Sequence, residues 1–207
     1  MRIIWGRNNS SNVMKLLWLC AEAGLEHERR DAGGAFGVTN EPAYKARNPM
    51  SLVPTLEEAD GWSLWESNSI LRYLAASEPG AAALLPAEPR ARARIERWMD
   101  WQLAHLTPPM TTIFFTYIRT AEAERDWPAT EAARKRAAGL WRILDAQLEG
   151  REHVEGDFSL ADIALGPFVH RWFALPIERP DLPNLHAWYG RLLKRPHYAR
   201  IVAGPMS

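Results

Sequence analysis

Apolar and polar positions change their spacing several times along the chain, and each change predicts an element. Residues 2–5 form a short apolar run of strand character. Residues 12–23 switch to helical spacing, with Val13, Leu16, Leu17 and Cys20 on one face and Gly24 as the stop. Residues 27–31 are polar and read as an edge strand, and residues 41–47 form a short helix ahead of Asn48-Pro49. Two short apolar runs, 54–57 and 62–65, flank Ala59-Asp60-Gly61, where Asp-Gly signals a hairpin. Helical spacing returns over 67–76 through Ile70, Leu71 and Leu74. The order β-α-β-α-β-β-α predicts an α/β layer with a mixed sheet.

From Glu78 to Pro89 the pattern breaks. Pro79, Gly80, Pro86 and Pro89 bracket an alanine run of linker character. Only helical patterns follow, over 90–106, 110–120, 129–148, 160–173 and 185–194, and Pro108-Pro109 should kink or end the first of them. The expected organisation is an α/β domain over 1–78, a linker over 79–89 and an all-α helical domain over 90–207.

Composition narrows the function. The 207 residues are 47% hydrophobic and 24% charged, a globular balance that excludes disorder. Lys and Arg number 25 and Asp and Glu 25. Residues 1–80 hold 8 basic and 10 acidic side chains and the remainder 17 and 15, so the charge is spread evenly and neither part is strongly basic. The even balance argues against nucleic acid and against an anionic membrane as partner. No apolar stretch is long enough to span a bilayer, and Arg7, Lys15 and Glu22 interrupt any signal-peptide core. The single cysteine, Cys20, rules out an internal disulfide framework and a zinc site built on several thiolates, and it fits a reducing, cytoplasmic setting. Its place on the apolar face of a helix predicts a buried, inert thiol. Ten tryptophans suggest extensive aromatic packing or a pocket for flat apolar molecules.

Four local features carry candidate chemistry. Val53-Pro54 opens a strand, and a cis bond there would turn the backbone N–H and C=O of Val53 outward, where an extended peptide could pair with them. A trans proline on an edge is the plain alternative. Glu66-Ser67 stands at a helix N-terminus, where unpaired N–H groups favour a carboxylate and Glu66 would accept an ammonium; simple N-capping by Ser67 is the alternative. Asn9, Ser10, Ser11 and Asn12 precede the first helix, and their donors could stabilise a thiolate; a capping loop is the alternative. Ser159-x-x-Asp162 is a capping box with Asp in place of Glu, a folding signal.

The segments WGRNNSSNVMKLLWLCAEAG, NPMSLVPTL, WESNSILRYL and FSLADIALGP resemble, in this order and spacing, the cytosolic glutathione transferase family. The resemblance covers nearly the whole chain. It implies a thioredoxin-like N-terminal domain, an all-helical C-terminal domain and a homodimer. It also implies that Val53 pairs through its backbone with the cysteinyl part of glutathione, with Pro54 as a cis-proline, and that Glu66 and Ser67 grip the γ-glutamyl end. Serine-type and related bacterial members carry the sulfur-activating side chain about five residues before a basic residue early in the first helix, so the resemblance, counted back from Lys15, implies Ser10 first in that role, ahead of Asn12 and Ser11. No tyrosine lies near residues 5–12 and the loop holds no cysteine, which sets aside the tyrosine-type and cysteine-type classes. Leu52 precedes Val53 where many members carry a polar side chain, so no partner for the glycyl carboxylate is assigned.

The family places its second substrate between the domains, and here residues 90–120 supply Trp98, Trp101, His105, Met110, Phe114, Phe115 and Tyr117. Trp101, His105 and Phe114, near the Pro108-Pro109 break, are the expected contacts to an apolar electrophile, with Trp172 and Phe173 closing the pocket. The implied activity is transfer of the glutathione thiolate to that electrophile, with glutathione as co-substrate and no metal. The alternatives are a glutathione-dependent disulfide reductase or peroxidase, and a non-catalytic dimeric binding module of the same fold.

Overall fold

The computed structural model describes residues 1–206. The chain divides into two compact units, Met1–Pro86 and Ala87–Ser207. The 3-10 turn Pro79–Leu84, within the stretch read as linker, packs on the last helix of the first unit.

The first unit is a four-stranded mixed sheet with helices against it. Its elements are β1 (Ile3–Trp5), α1 (Ser11–Ala23), β2 (Glu28–Arg30), α2 (Pro42–Lys45), β3 (Thr55–Glu57), β4 (Ser63–Trp65) and α3 (Ser67–Ser77). The strand order is β2-β1-β3-β4. β1 pairs in parallel with β2 and antiparallel with β3, placing Trp5 opposite both Arg30 and Thr55. The polar β2 is at the edge, as its sequence predicts. The Asp-Gly signal becomes a five-residue connection in which the Glu58 N–H donates to the Trp62 carbonyl at 2.8 Å and Gly61 takes φ +88°. The Val53–Pro54 peptide bond is cis.

Two helices of this unit differ from their sequence reading. On α1 the buried set runs nearly all round, taking in Trp18, Leu19 and Lys15, while Leu17 is only half-buried. On α3 the N-cap is Glu66, held at φ +70° and ψ +111°, and Ser67 is already the first helical residue. The plain capping role for Ser67 is therefore set aside.

The second unit is helical: α4 (Pro89–Trp101), α5 (Thr107–Phe114), α6 (Trp127–Gln147), α7 (Leu160–Ala174), α8 (Pro183–Leu193) and α9 (Pro196–Ile201). The predicted break falls earlier than the prolines. α4 passes into a π-helical turn, Gln102–Leu106, and Pro108 and Pro109 then occupy the first turn of α5. A proline at a helix start removes no bond the helix would otherwise make, so the wide turn absorbs the register change. A second π turn, Phe115–Arg119, follows α5.

The capping box forms at the start of α7. Ser159 Oγ accepts from the Ala161 N–H at 3.3 Å, and the Ser159 N–H donates to Asp162 Oδ2 at 3.0 Å. Asp162 is fully buried and also accepts from the Trp188 indole at 2.9 Å, tying α7 to α8. Trp141, Trp172 and Trp188 are buried in this core, and Trp18 in that of the first unit, so much of the tryptophan excess is packing. Among the described residues no helix is long and apolar enough to cross a membrane.

Candidate functional site

The loop from β1 to α1 is fixed by backbone bonds before any side chain acts. The Gly6 N–H donates to the Arg30 carbonyl at 2.8 Å and the Arg7 N–H to the Ala32 carbonyl at 3.1 Å. Gly6 has φ +152°, and a Cβ there would sit 2.4 Å from Val13 Cγ2 and 3.2 Å from Val53 Cβ. Only glycine lets the loop lie this close to both. Val53 thus lies against the loop that leads into Ser10, Ser11 and Asn12.

Ser10 is the N-cap of α1, in extended conformation with no side-chain capping bond, and the first turn carries no acidic residue. Ser10 and Ser11 are 8% and 9% exposed, whereas Asn12 is half-buried and reaches across to α3. There Ser67 Oγ donates to Asn12 Oδ1 at 3.3 Å. Two residues singled out separately in the sequence, 55 positions apart, are therefore in contact. α3 also starts without a side-chain cap. α2, α5, α8 and α9 likewise have no side-chain cap, whereas α4, α6 and α7 are capped by Glu88, Asp126 and Ser159. The first-turn amides and the positive end of a helix favour an anion, and at α3 the acidic Glu66 stands beside them as the N-cap residue.

A clamp invisible in the sequence holds the residues before Val53. The Tyr44 hydroxyl donates to the Leu52 carbonyl at 2.6 Å, and the Asn48 amide donates to the same oxygen at 2.9 Å. Asn48 Nδ2 also donates to Thr55 Oγ1 at 3.0 Å. Burial pushes the Tyr44 hydroxyl above its ordinary pKa, so it stays a donor. The Leu52 side chain points to solvent, 61% exposed, while its carbonyl is held twice. A polar residue at 44 and an amide at 48 have no local signature that distinguishes them from surface positions.

Lys15, on α1, carries no local sign of a role at the site. It is 0% exposed and donates to Ser67 Oγ at 3.3 Å and to Asn68 Oδ1 at 3.2 Å. Cys20, on the same helix, is buried, and desolvation pushes its thiol up to about 12. It is buried, as its position predicts.

Trp101, His105 and Phe114 belong to the helical unit and separate in role. Trp101 packs edge-on against Trp98, centroids 5.3 Å apart, and lines a cavity of about 540 Å³ with Arg97, Trp98, Ile143, Ala146 and Gln147. His105 is exposed on the π turn. Phe114 is 4% exposed with the Arg171 guanidinium 3.7 Å from its ring centre, so it packs within the unit instead of lining that cavity. Trp172 is likewise a core residue, tilted against Trp141 at 6.1 Å.

Residues 9–77 match the family model described as glutathione S-transferase, N-terminal domain, and residues 128–191 match that of the C-terminal domain. Glutathione S-transferase GstB of Escherichia coli (strain K12) is 39% identical over 209 residues, covering 100% of both chains. The chain belongs to the glutathione S-transferase family. The fold of this transferase agrees with solved structures of other family members. The theta class glutathione S-transferase from Xanthomonas axonopodis pv. citri, with glutathione bound, is 45% identical with a TM-score of 0.94, covering 100% of this chain and 99% of that one. The glutathione S-transferase from Pseudomonas fluorescens is 27% identical with a TM-score of 0.83, covering 95% and 96%. Human elongation factor 1-gamma is 27% identical over 172 residues, which is 81% of this chain and 38% of that protein.

Proposed function

We propose that this glutathione transferase binds glutathione along its N-terminal unit and holds the thiol as a thiolate for attack on an apolar electrophile. The backbone of Val53 pairs with the cysteinyl segment. Glu66 takes the γ-glutamyl ammonium, and the backbone amides at the start of α3, that of Ser67 among them, take its carboxylate. Ser10, Ser11 and Asn12 supply donors to the sulfur. A free thiol of pKa about 8.5 is mostly protonated at neutral pH, and each unit of lowering requires about 1.4 kcal/mol of preferential anion stabilisation. One charge-assisted hydrogen bond beside a helix N-terminus is of that order. The thiol proton leaves to solvent, the sulfur lone pair forms the new S–C bond, and any leaving group departs with its own electron pair. The acceleration comes from positioning and anion stabilisation.

The observation that carries this reading is the Ser67–Asn12 hydrogen bond at 3.3 Å. It joins the proposed sulfur loop to the proposed γ-glutamyl grip at two helix starts without side-chain caps. For the electrophile, the cavity walled by Trp98, Trp101 and Ile143 has the size and apolar lining that suit a flat ring compound, with Trp101 as the proposed contact. A homodimer acting in the cytoplasm completes the proposal.

The deciding experiment is titration of the thiolate absorbance of bound glutathione in wild type, Ser10→Ala and Asn12→Ala. A wild-type midpoint well below that of free glutathione, moved upward in at least one variant, is expected. A wild-type midpoint equal to the free value overturns the mechanism. The match to human elongation factor 1-gamma, a relative not named as a transferase, is the observation behind a second reading, a non-catalytic binding module of the same fold. Calorimetry separates the two, since such a module would show no glutathione binding at millimolar ligand. Relative turnover on a mixed disulfide and on a chlorinated aromatic separates transfer from disulfide reduction.

A further inference from the structure

Resting on the glutathione reading, the geometry assigns to Lys15 the part of positioning residue: it sets the direction of the hydrogen bonds that run from α1 through Ser67 back to Asn12. The distances are 3.3 Å from Lys15 Nζ to Ser67 Oγ and 3.3 Å from Ser67 Oγ to Asn12 Oδ1, with a second Lys15 contact to Asn68 Oδ1 at 3.2 Å. An ammonium group has three donors and no acceptor. The Ser67 oxygen must therefore accept from Lys15, which leaves its single hydrogen to be donated onward. The receiving atom has to be the carbonyl oxygen of the Asn12 amide. Asn12 is thereby held with its NH₂ end turned from Ser67, so the group it offers a ligand is a donor.

The usual ambiguity of an amide, which can present either end, is removed by a cation three residues further along the same helix. A neutral side chain at 15 would let Ser67 donate elsewhere and the amide turn over, presenting a carbonyl oxygen to a thiolate, which repels it. The same ammonium also makes this corner, with the starts of α1 and α3, electropositive. Burying a charge is costly, and a Lys one turn into a helix is better placed at the opposite end of the helix dipole. Lys15 nevertheless has no exposed surface, and Ser67 and Asn68 are buried with it. The fold accepts this cost beside the residues proposed to hold glutathione. Arg7 in the β1–α1 loop and Glu66 ahead of Ser67 are the other charged residues of these segments.

The test uses the full chain as wild type, Lys15→Met, Asn12→Ala and the double variant, with glutathione and S-methylglutathione as probes. Calorimetry reads affinity, and thiolate absorbance at neutral pH reads the ionised fraction. Lys15→Met is expected to weaken glutathione binding by about tenfold, the loss typical of a charge-assisted contact, and to abolish the bound-thiolate signal. In the Asn12→Ala background the same substitution should remove little further signal. Affinity for S-methylglutathione, which has no thiol to ionise, should fall less than that for glutathione. A Lys15→Met protein that keeps the wild-type thiolate signal, or single effects that simply multiply in the double variant, overturns the assignment. Should Lys15→Met fail to fold, Ser67→Ala breaks the same chain of bonds, and an undiminished thiolate signal in that variant overturns it equally. If wild type binds no glutathione, the glutathione reading itself has failed, an outcome distinct from wild-type binding that Lys15→Met leaves intact.

Discussion

The Tyr44 hydroxyl grips the backbone of Leu52 through a 2.6 Å hydrogen bond to its carbonyl, one residue ahead of Val53. The bond ties the short helix α2 to the chain that leads into β3. With Asn48 donating to the same oxygen, the backbone arrives at Val53 in one orientation.

Tyr44→Phe tests that clamp. It removes the donor to Leu52 and the hydroxyl 2.9 Å from Thr55 Oγ1, and leaves the ring edge-on to Trp5. A loss of about 1 kcal/mol of stability is expected, the net worth of one buried hydrogen bond, because Asn48 still donates to the Leu52 carbonyl and to Thr55 Oγ1. Glutathione affinity should fall by more than the small effect of a distant core substitution. Urea unfolding and calorimetry on the same preparation give both values, and unchanged affinity would show that the clamp serves folding alone.

Asp162 is the joint of the helical unit. Its carboxylate accepts from the N–H groups of Ser159 and Val154 and from the Trp188 indole, at 3.0, 3.2 and 2.9 Å. Asp162→Ala leaves three buried donors without an acceptor, and a cost of about 3–5 kcal/mol is expected. Equilibrium unfolding should show it, and a loss below about 1 kcal/mol would mean that solvent replaces the carboxylate. Asp162→Asn, which keeps acceptor geometry on one side only, should fall between.

His170 supplies a pH dependence with a definite sign. Its ring nitrogens lie 2.9 Å from the Tyr189 hydroxyl and 3.1 Å from the Gly204 carbonyl. Desolvation lowers its pKa below the ordinary 6.5, a push that the Gly204 contact partly opposes. The unfolded chain then takes up a proton near pH 6.5 while the folded chain resists, so this contribution is present above 6.5 and is lost as pH falls through the folded value. Urea midpoints measured from pH 7.5 to 5 should decline, and His170→Gln should flatten part of that decline. An identical slope in the variant would remove His170 as its source.

Cys20 should resist thiol reagents in the native state. With its thiol pushed up to about 12, almost none is ionised at pH 8. Labelling should proceed only as fast as the chain unfolds and become rapid in urea. The linkage has the opposite pH range from that of His170: the contribution is complete below the unfolded thiol's pKa of about 8.5 and is lost as pH rises toward 12. Rapid stoichiometric labelling of the native protein at pH 8 would contradict this burial.

Short-range patterns were sufficient for much of this protein. Alternation and helical spacing set out β1 to α3, Asp-Gly located the hairpin, Ser159-x-x-Asp162 located the start of α7, and the four ordered segments pointed to the family. Each signal lies within a few residues of chain, so local backbone preference is enough to express it. The working contacts of the candidate site are of another kind. Lys15 meets Ser67 across 52 positions and Ser67 meets Asn12 across 55. A lysine within a helix reads as a solvent-facing residue until a second helix start is packed over it, and a serine before a helix reads as a cap until a nearer partner takes its hydroxyl. Likewise, the burial of Phe114 and Trp172 depends on which helices pack over them, which aromatic spacing does not encode. The sequence by itself determined which elements form and in what order. Tertiary packing decided which polar groups lost water, and a polar group that has lost water must find its partner wherever the fold has placed one.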